Sequence, residues 1–233
     1  MKTFIKYLLS FVMSISIIFI MLISSVQIAV YGDIDGYFKN EYTKYNVLDE
    51  VSMTMGDIMY VTHEMMDYLD GKRDDLVVNT TVNGVEREFF SIREKLHMED
   101  VKNLFVGGKN IRFICIFIAV ISGLILVFIC KEYKKVMAKG FLFTSAFIAA
   151  ISGIISLIIS TNFTKYFVIF HNIFFNNDLW LLDPKVDLLI NIVPEPFFID
   201  TALRILILFG IMAVIGIAIS VIILFLDSKR RII

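Results

Sequence analysis

The chain has 233 residues, 58% hydrophobic and 19% charged, with a formal net charge of −1. Its mean hydropathy of +0.77 is more than a soluble domain of this length carries. There is no basic footprint for nucleic acid, no phosphate-binding glycine loop and no Gly-x-Ser-x-Gly elbow.

The apolar excess sits in four blocks, residues 4–30, 111–130, 141–162 and 201–226. Each reaches the ~20 residues that a bilayer-crossing helix needs. Lysine and arginine fall alternately between them. Lys2 and Lys6 precede the first block. Lys131, Lys134, Lys135 and Lys139 occupy the basic loop 131–140, and Lys229, Arg230 and Arg231 end the tail 227–233. Residues 31–110 instead hold 9 basic against 16 acidic side chains, and residues 163–200 hold 2 against 5. The positive-inside rule therefore predicts both termini and the 131–140 loop in the cytoplasm, with 31–110 and 163–200 outside. The first block is longer than a signal-peptide core and lacks a small-x-small cleavage site, so an uncleaved anchor is expected. Cys115 and Cys130 lie about 22 Å apart along one predicted helix. That excludes a disulfide between them and leaves two packing residues.

After the first block, residues 31–45 read as a polar connector. Asp49 reads as the cap of a helix ending at Asp70 before Gly71, with Val51, Met55, Ile58, Met59, Met66 and Leu69 on one buried stripe. Asn83-Gly84 between the strand-like runs 76–82 and 85–90 predicts a hairpin, because both turn positions need positive φ. Ser91-Ile92-Arg93-Glu94 is a capping box opening a helix over 92–105, with a break expected at Gly107-Gly108. The fold class is thus mainly α: four transmembrane helices and a small extracellular α+β cap containing a β-hairpin.

Residues 163–200 carry nine aromatic side chains, from Phe163 to Phe198, too many for a loop in water. They form either an anchoring belt at the membrane boundary or the lining of a site for something greasy, the segment being interfacial or re-entrant. Asp183-Pro184 reads as cap and first-turn proline of a short helix, ended by Pro194-Glu195-Pro196. Arg204, near the outer end of the fourth block, either snorkels to the interface or binds an anion or carbonyl inside the bundle. Ala149, Gly153, Gly216 and Ser220 suit close helix packing.

The chain has three histidines. His97 has Glu94 and Asp100 three residues to either side, at helical spacing able to flank the imidazole. His171 falls in the aromatic segment, seven residues before Asp178. The two are either a catalytic pair at the membrane boundary or polar residues bridging loops. His63-Glu64-Met65-Met66-Asp67 resembles a zinc-protease helix, but Asp67 replaces the second histidine and the motif fails. Asn79-Thr80-Thr81 and Asn162-Phe163-Thr164 match glycosylation sequons, tripeptides that are common by chance.

Arg93-Glu94-Lys95-Leu96-His97-Met98-Glu99-Asp100-Val101-Lys102 resembles a signature of a bacterial membrane family. So do Phe170-His171-Asn172-Ile173-Phe174-Phe175, Asn177-Asp178-Leu179-Trp180-Leu181-Leu182-Asp183-Pro184 and Pro194-Glu195-Pro196-Phe197-Phe198. This is the lipoprotein intramolecular transacylase family of four-helix integral membrane proteins. The resemblance implies an acyltransferase of the bacterial cell membrane with its site at the extracytoplasmic face. Its substrate is a diacylglyceryl lipoprotein, whose sn-2 acyl chain moves onto the α-amine of the N-terminal cysteine to give the lyso form. His97 and His171 fall on the family's two essential histidines, and His63 on no motif position. Glu94, Asp100 and Asp178 are candidates for orienting the pair. Phe174, Trp180 and Arg204 are candidates for substrate or lipid contact. No cofactor, metal or nucleic acid is implied; membrane lipids are expected partners, and a monomer is expected. The competing readings are a non-catalytic sensor or assembly factor and a metal-dependent membrane hydrolase built on His97, His171 and the nearby aspartates.

Overall fold

The computed structural model describes residues 2–229, so Arg230 and Arg231 of the basic tail lie outside the described residues. Among the described residues, four helices are long and apolar enough to cross a membrane: α1 (Lys2–Tyr31), α5 (Ile92–Ile129), α6 (Tyr133–Ser160) and α9 (Glu195–Lys229). Between them run α2 (Ile34–Lys44), α3 (Val47–Val51), α4 (Met55–Asp70), β1 (Asn79–Val82), β2 (Val85–Glu88), α7 (Phe163–Phe174) and α8 (Leu189–Ile192). The chain divides into two compact units, and the divisions fall within or beside α1, α5, α6 and α9.

The span unit comprises residues 1–26, 109–161 and 205–233. Phe128, Leu157 and Val214 are largely exposed there, an arrangement suited to lipid rather than water. The helices meet at small residues. Ser10 Oγ on α1 donates to the Val136 carbonyl on α6 at 2.9 Å, and a Cβ at Gly140 would lie 2.0 Å from that hydroxyl. A Cβ at Gly216 would lie 2.6 Å from the Phe141 ring. Gly153 has open space around it and Ala149 is exposed, so the close approach on α6 falls at Gly140 instead. Basic residues 131–140 lie mostly within α6, which starts eight residues before the expected 141 because only a short turn follows Cys130.

The hairpin unit comprises residues 27–108 and 162–204. Its core joins Tyr42, Ile58, Val61, Phe89, Phe90 and Ile192, each at most 2% exposed. Each large apolar side chain buried this way stabilises by about 1.5–3 kcal/mol. The 31–45 connector is a helix. Asp33 Oδ1 caps α2 by accepting the Gly36 N–H at 2.9 Å, and Tyr37, Phe38, Glu41 and Tyr42 form its buried face. The single helix expected over 49–70 is two. Ser52 takes the left-handed conformation (φ 51°) after α3, and α4 restarts under the Thr54 cap, whose Oγ1 accepts the Asp57 N–H at 3.1 Å.

The hairpin forms around Asn83 (φ 51°) and Gly84 (φ 74°), with Asn79 opposite Glu88 and Val82 opposite Val85. Its strands are shorter than the 76–82 and 85–90 runs. The break expected at Gly107-Gly108 does not occur, and α5 continues through it. A glycine inside a helix costs only about 1 kcal/mol against alanine, a weak preference that does not interrupt a 38-residue helix already packed at Met98 and Val101. The first three turns of α5 carry Arg93, Glu94, Lys95, Glu99, Asp100 and Lys102, so only its apolar stretch after Arg112 suits hydrocarbon. Residues 163–200 hold α7, an irregular stretch over 175–188, α8 and the start of α9; Pro194 follows the end of the short α8, and Pro196 sits in the first turn of α9. Asp183 does cap a turn: its Oδ1 accepts the Lys185 N–H at 3.0 Å.

Candidate active site

Three residues on one face of α5, Arg93, His97 and Asp100, follow the i, i+4, i+7 spacing of a helical stripe. Opposite them, α7 carries His171. Asn162 caps this helix by accepting the Lys165 N–H at 3.0 Å. Phe163, Phe167 and His171 follow one another at four-residue steps, with ring centroids 5.7 and 4.3 Å apart. The polar imidazole turns inward while Phe170, Ile173 and Phe174 on the same helix are exposed.

The structure brings His97 and His171 together. Their ring centroids are 6.1 Å apart, although 74 positions separate them. They are 8% and 7% exposed. Phe175 lies 5.4 Å from His97 and 5.6 Å from His171, and Trp180 stacks on His171 at 4.6 Å with the planes 27° apart. His171 Nδ1 lies 2.7 Å from the Phe167 carbonyl. A carbonyl only accepts, so Nδ1 carries the proton, and in the neutral ring Nε2 holds the lone pair. Burial lowers the His171 pKa despite the opposing pull of that carbonyl. His97 Nδ1 is buried without a hydrogen-bond partner. Burial, reinforced by His171, lowers the His97 pKa to about 4; Asp100 pulls it up and Arg93 pushes it further down. Both rings are therefore neutral at neutral pH, so that each has one N–H and one lone pair.

The three carboxylates expected to orient the pair occupy different positions. Asp100 is close enough to act on His97 through its charge, and its Oδ2 accepts a hydrogen bond from Asn177 Nδ2 at 2.8 Å. Asp178 pairs with Arg93 at 3.6 Å. Glu94 points elsewhere: its oxygens accept the backbone N–H groups of Ser91 (2.5 Å) and Leu189 (2.6 Å). Phe174 lies on the exposed face of α7, against Phe170 at 4.7 Å. Trp180 is half-buried, stacks on His171 and donates its indole N–H to the Asn177 carbonyl at 3.1 Å. The Arg204 guanidinium sits over the Tyr37 ring at 4.2 Å. His63 lies on the surface, 3.5 Å from Asp35. Among the described residues, no three His, Cys, Asp or Glu side chains converge in a metal-binding arrangement. Two open grooves of the unit, one beside Asp49 and Asp57 and one beside Pro184 and Pro194, contain no histidine. Asn177 and Phe175 stand in the family-like motifs without a role that local sequence assigns; Phe175 touches both histidines and Asn177 holds Asp100 and Trp180.

Four membrane-length helices, a two-stranded sheet and a buried pair of neutral histidines define a polytopic membrane protein with a site suited to proton transfer. The family model of the lipoprotein intramolecular transacylase Lit matches residues 11–198, and the chain belongs to that family. The in meso structure of the membrane integral Lit from Bacillus cereus is 27% identical, with a TM-score of 0.71, covering 98% of both chains. Two structures of the same protein, one with a histidine-to-arginine mutation and one with a histidine-to-alanine mutation, are each 28% identical. Their TM-scores are 0.74 and 0.73, they cover 97% and 98% of this chain, and 94% and 96% of theirs is covered. No curated protein sequence is significantly similar.

Proposed function

We propose that the chain is an intramolecular acyltransferase. It moves the sn-2 acyl chain of a diacylglyceryl lipoprotein onto the α-amine of the lipoprotein's N-terminal cysteine, with His97 and His171 as acid and base. The observation that carries this reading is the 6.1 Å separation of two buried, neutral imidazoles on different helices.

In the reaction the amine nitrogen attacks the ester carbonyl, a C–N bond replaces the C–O bond, and one proton passes from nitrogen to the leaving sn-2 oxygen. An α-amine has a pKa of ~8, so roughly a tenth of it is nucleophilic at pH 7. The step needs a base of ordinary strength rather than an alkoxide. His171 supports the base role, because its Nδ1–H is committed to Phe167 and Nε2 keeps the lone pair. His97, whose Nδ1 is free of protein partners, supports the complementary role of polarising the ester or protonating the leaving oxygen. Donor and acceptor belong to one substrate molecule, so holding them together supplies much of the rate. The exposed Phe170, Ile173 and Phe174 offer apolar surface to acyl chains. The acidic balance of residues 31–110 and 163–200 supports placing the site at the extracytoplasmic face.

The test is conversion of a purified diacylglyceryl lipoprotein to the lyso form by His97→Ala and His171→Ala enzymes. Each is expected to lose about 10²–10⁴-fold in rate. Full activity in either variant overturns the pair. An assay after exhaustive chelation is expected to retain activity; loss restored by a divalent metal supports the metal-hydrolase reading instead.

A further inference from the structure

We propose that Asn177 is a positioning residue for His171, acting through Trp180; the inference rests on the acyl-transfer reading above. His171 comes to His97 from a separate stretch of chain, and something must hold its imidazole plane. Phe167, Phe170 and Phe175 lie around the ring, and Trp180 stacks on it. Trp180 belongs to the segment that leaves α7 and passes Arg93 and Asp100 on α5.

Asn177 both ties that segment to α5 and braces the segment internally, through one bond to Asp100 and two bonds to its own neighbours. Its Nδ2 donates to Asp100 Oδ2 at 2.8 Å, its Oδ1 accepts the Leu179 N–H at 3.1 Å, and its backbone carbonyl accepts the Trp180 indole N–H at 3.1 Å. The two side-chain bonds use opposite ends of the amide, so its orientation is determined by the network and a flipped amide would lose both. A second tie lies one residue on, where Asp178 pairs with Arg93, and the Arg93 guanidinium also donates to the Asp178 carbonyl. Arg93 and Asp100 stand two helical turns apart on α5, with His97 between them. The segment is therefore fastened on both sides of one histidine and presses an indole on the other. Asn177 itself is exposed and contributes no buried apolar surface. Its value lies in the geometry that it imposes.

The network also predicts a selective probe. Asn177→Asp keeps the oxygen that accepts from Leu179 but sets two carboxylates against each other at positions 100 and 177. The reciprocal double variant, Asp100→Asn with Asn177→Asp, restores the hydrogen bond with donor and acceptor exchanged and the pair's charge unchanged. Trp180 is the single tryptophan of the chain, so its emission reports the stack directly. Imidazole in contact quenches indole, more strongly when protonated.

In full-length enzyme in detergent, the wild type should show quenched emission with a pH step as His171 titrates. Asn177→Asp should lose the step, brighten, and lose about tenfold to a hundredfold in kcat with little change in KM. The double variant should recover both. Wild-type emission and kcat in Asn177→Asp overturn the proposal. So does a loss of kcat with the emission step intact, or a double variant that folds, as judged by its melting curve, and recovers neither. Full activity in the histidine variants overturns the reaction assignment alone, because the emission step tests the clamp without turnover.

Discussion

Glu94, in the first turn of α5, accepts the backbone N–H of Leu189 from ninety-five residues away, and the two partners are 1% and 4% exposed. The same carboxylate accepts the Ser91 N–H, and Ser91 Oγ donates to Asp187. A capping box that ordinarily finishes one helix here also anchors the segment leading into α8. Burial raises the Glu94 pKa while the two N–H donors pull it down.

Glu94→Ala leaves two N–H groups without their acceptor, and should destabilise the protein by about 2–4 kcal/mol. Glu94→Gln, which keeps one carbonyl oxygen, should cost less. Thermal unfolding in detergent measures both. If Glu94 instead served the histidines, Glu94→Gln would keep wild-type stability and lose turnover.

The histidine pair predicts a pH dependence of stability. His97 is held down at about 4 against an ordinary 6.5. On acidification the unfolded chain therefore binds its proton first. The neutral histidine's contribution is fully present above pH 6.5 and is lost as pH falls toward 4, amounting to about 3 kcal/mol of stability. Melting temperatures from pH 7.5 to 4 should fall for the wild type and fall less for His97→Asn. NMR titration of labelled imidazoles should find His97 uncharged at pH 6.

Arg204 lies over the Tyr37 ring, and the Tyr37 hydroxyl is 2.6 Å from Thr201 Oγ1. Arg204→Ala should cost about 0.5–2 kcal/mol of stability through the lost cation–π contact, and the enzyme should keep most of its turnover. A large loss of kcat with unchanged melting would instead mark Arg204 as a substrate ligand.

Gly140 admits Ser10 where a methyl group would collide with it. Gly140→Ala should destabilise the protein by about 1–3 kcal/mol through overpacking. Adding Ser10→Gly should recover part of that loss, as read from the melting temperature in the same detergent. Gly153→Ala, at a site with open space, should be neutral or mildly stabilising.

The sequence alone determined the four membrane-length helices, because hydropathy is a property of consecutive residues and lipid requires it segment by segment. It also determined the Asn83-Gly84 turn and the Ser91–Glu94 capping box, whose chemistry lies within four residues. It singled out His97 and His171 through local motifs. It missed α2, whose polar face and Gly36 masked an amphipathic helix, and placed a break at Gly107-Gly108, where two glycines oppose the helix only weakly and α5 runs on. Only the tertiary structure decided which groups meet. Glu94 looked like a neighbour of His97 by spacing, but the Leu189 N–H, remote in sequence, claims its carboxylate. Asn177 stood inside a family-like motif but had no role assigned, since a hydrogen bond to Asp100 exists only once the chain after α7 passes α5. The separation of the two imidazoles belongs to the same class. Burial, tautomer and contact depend on how distant segments fold back on one another, and no local preference specifies them.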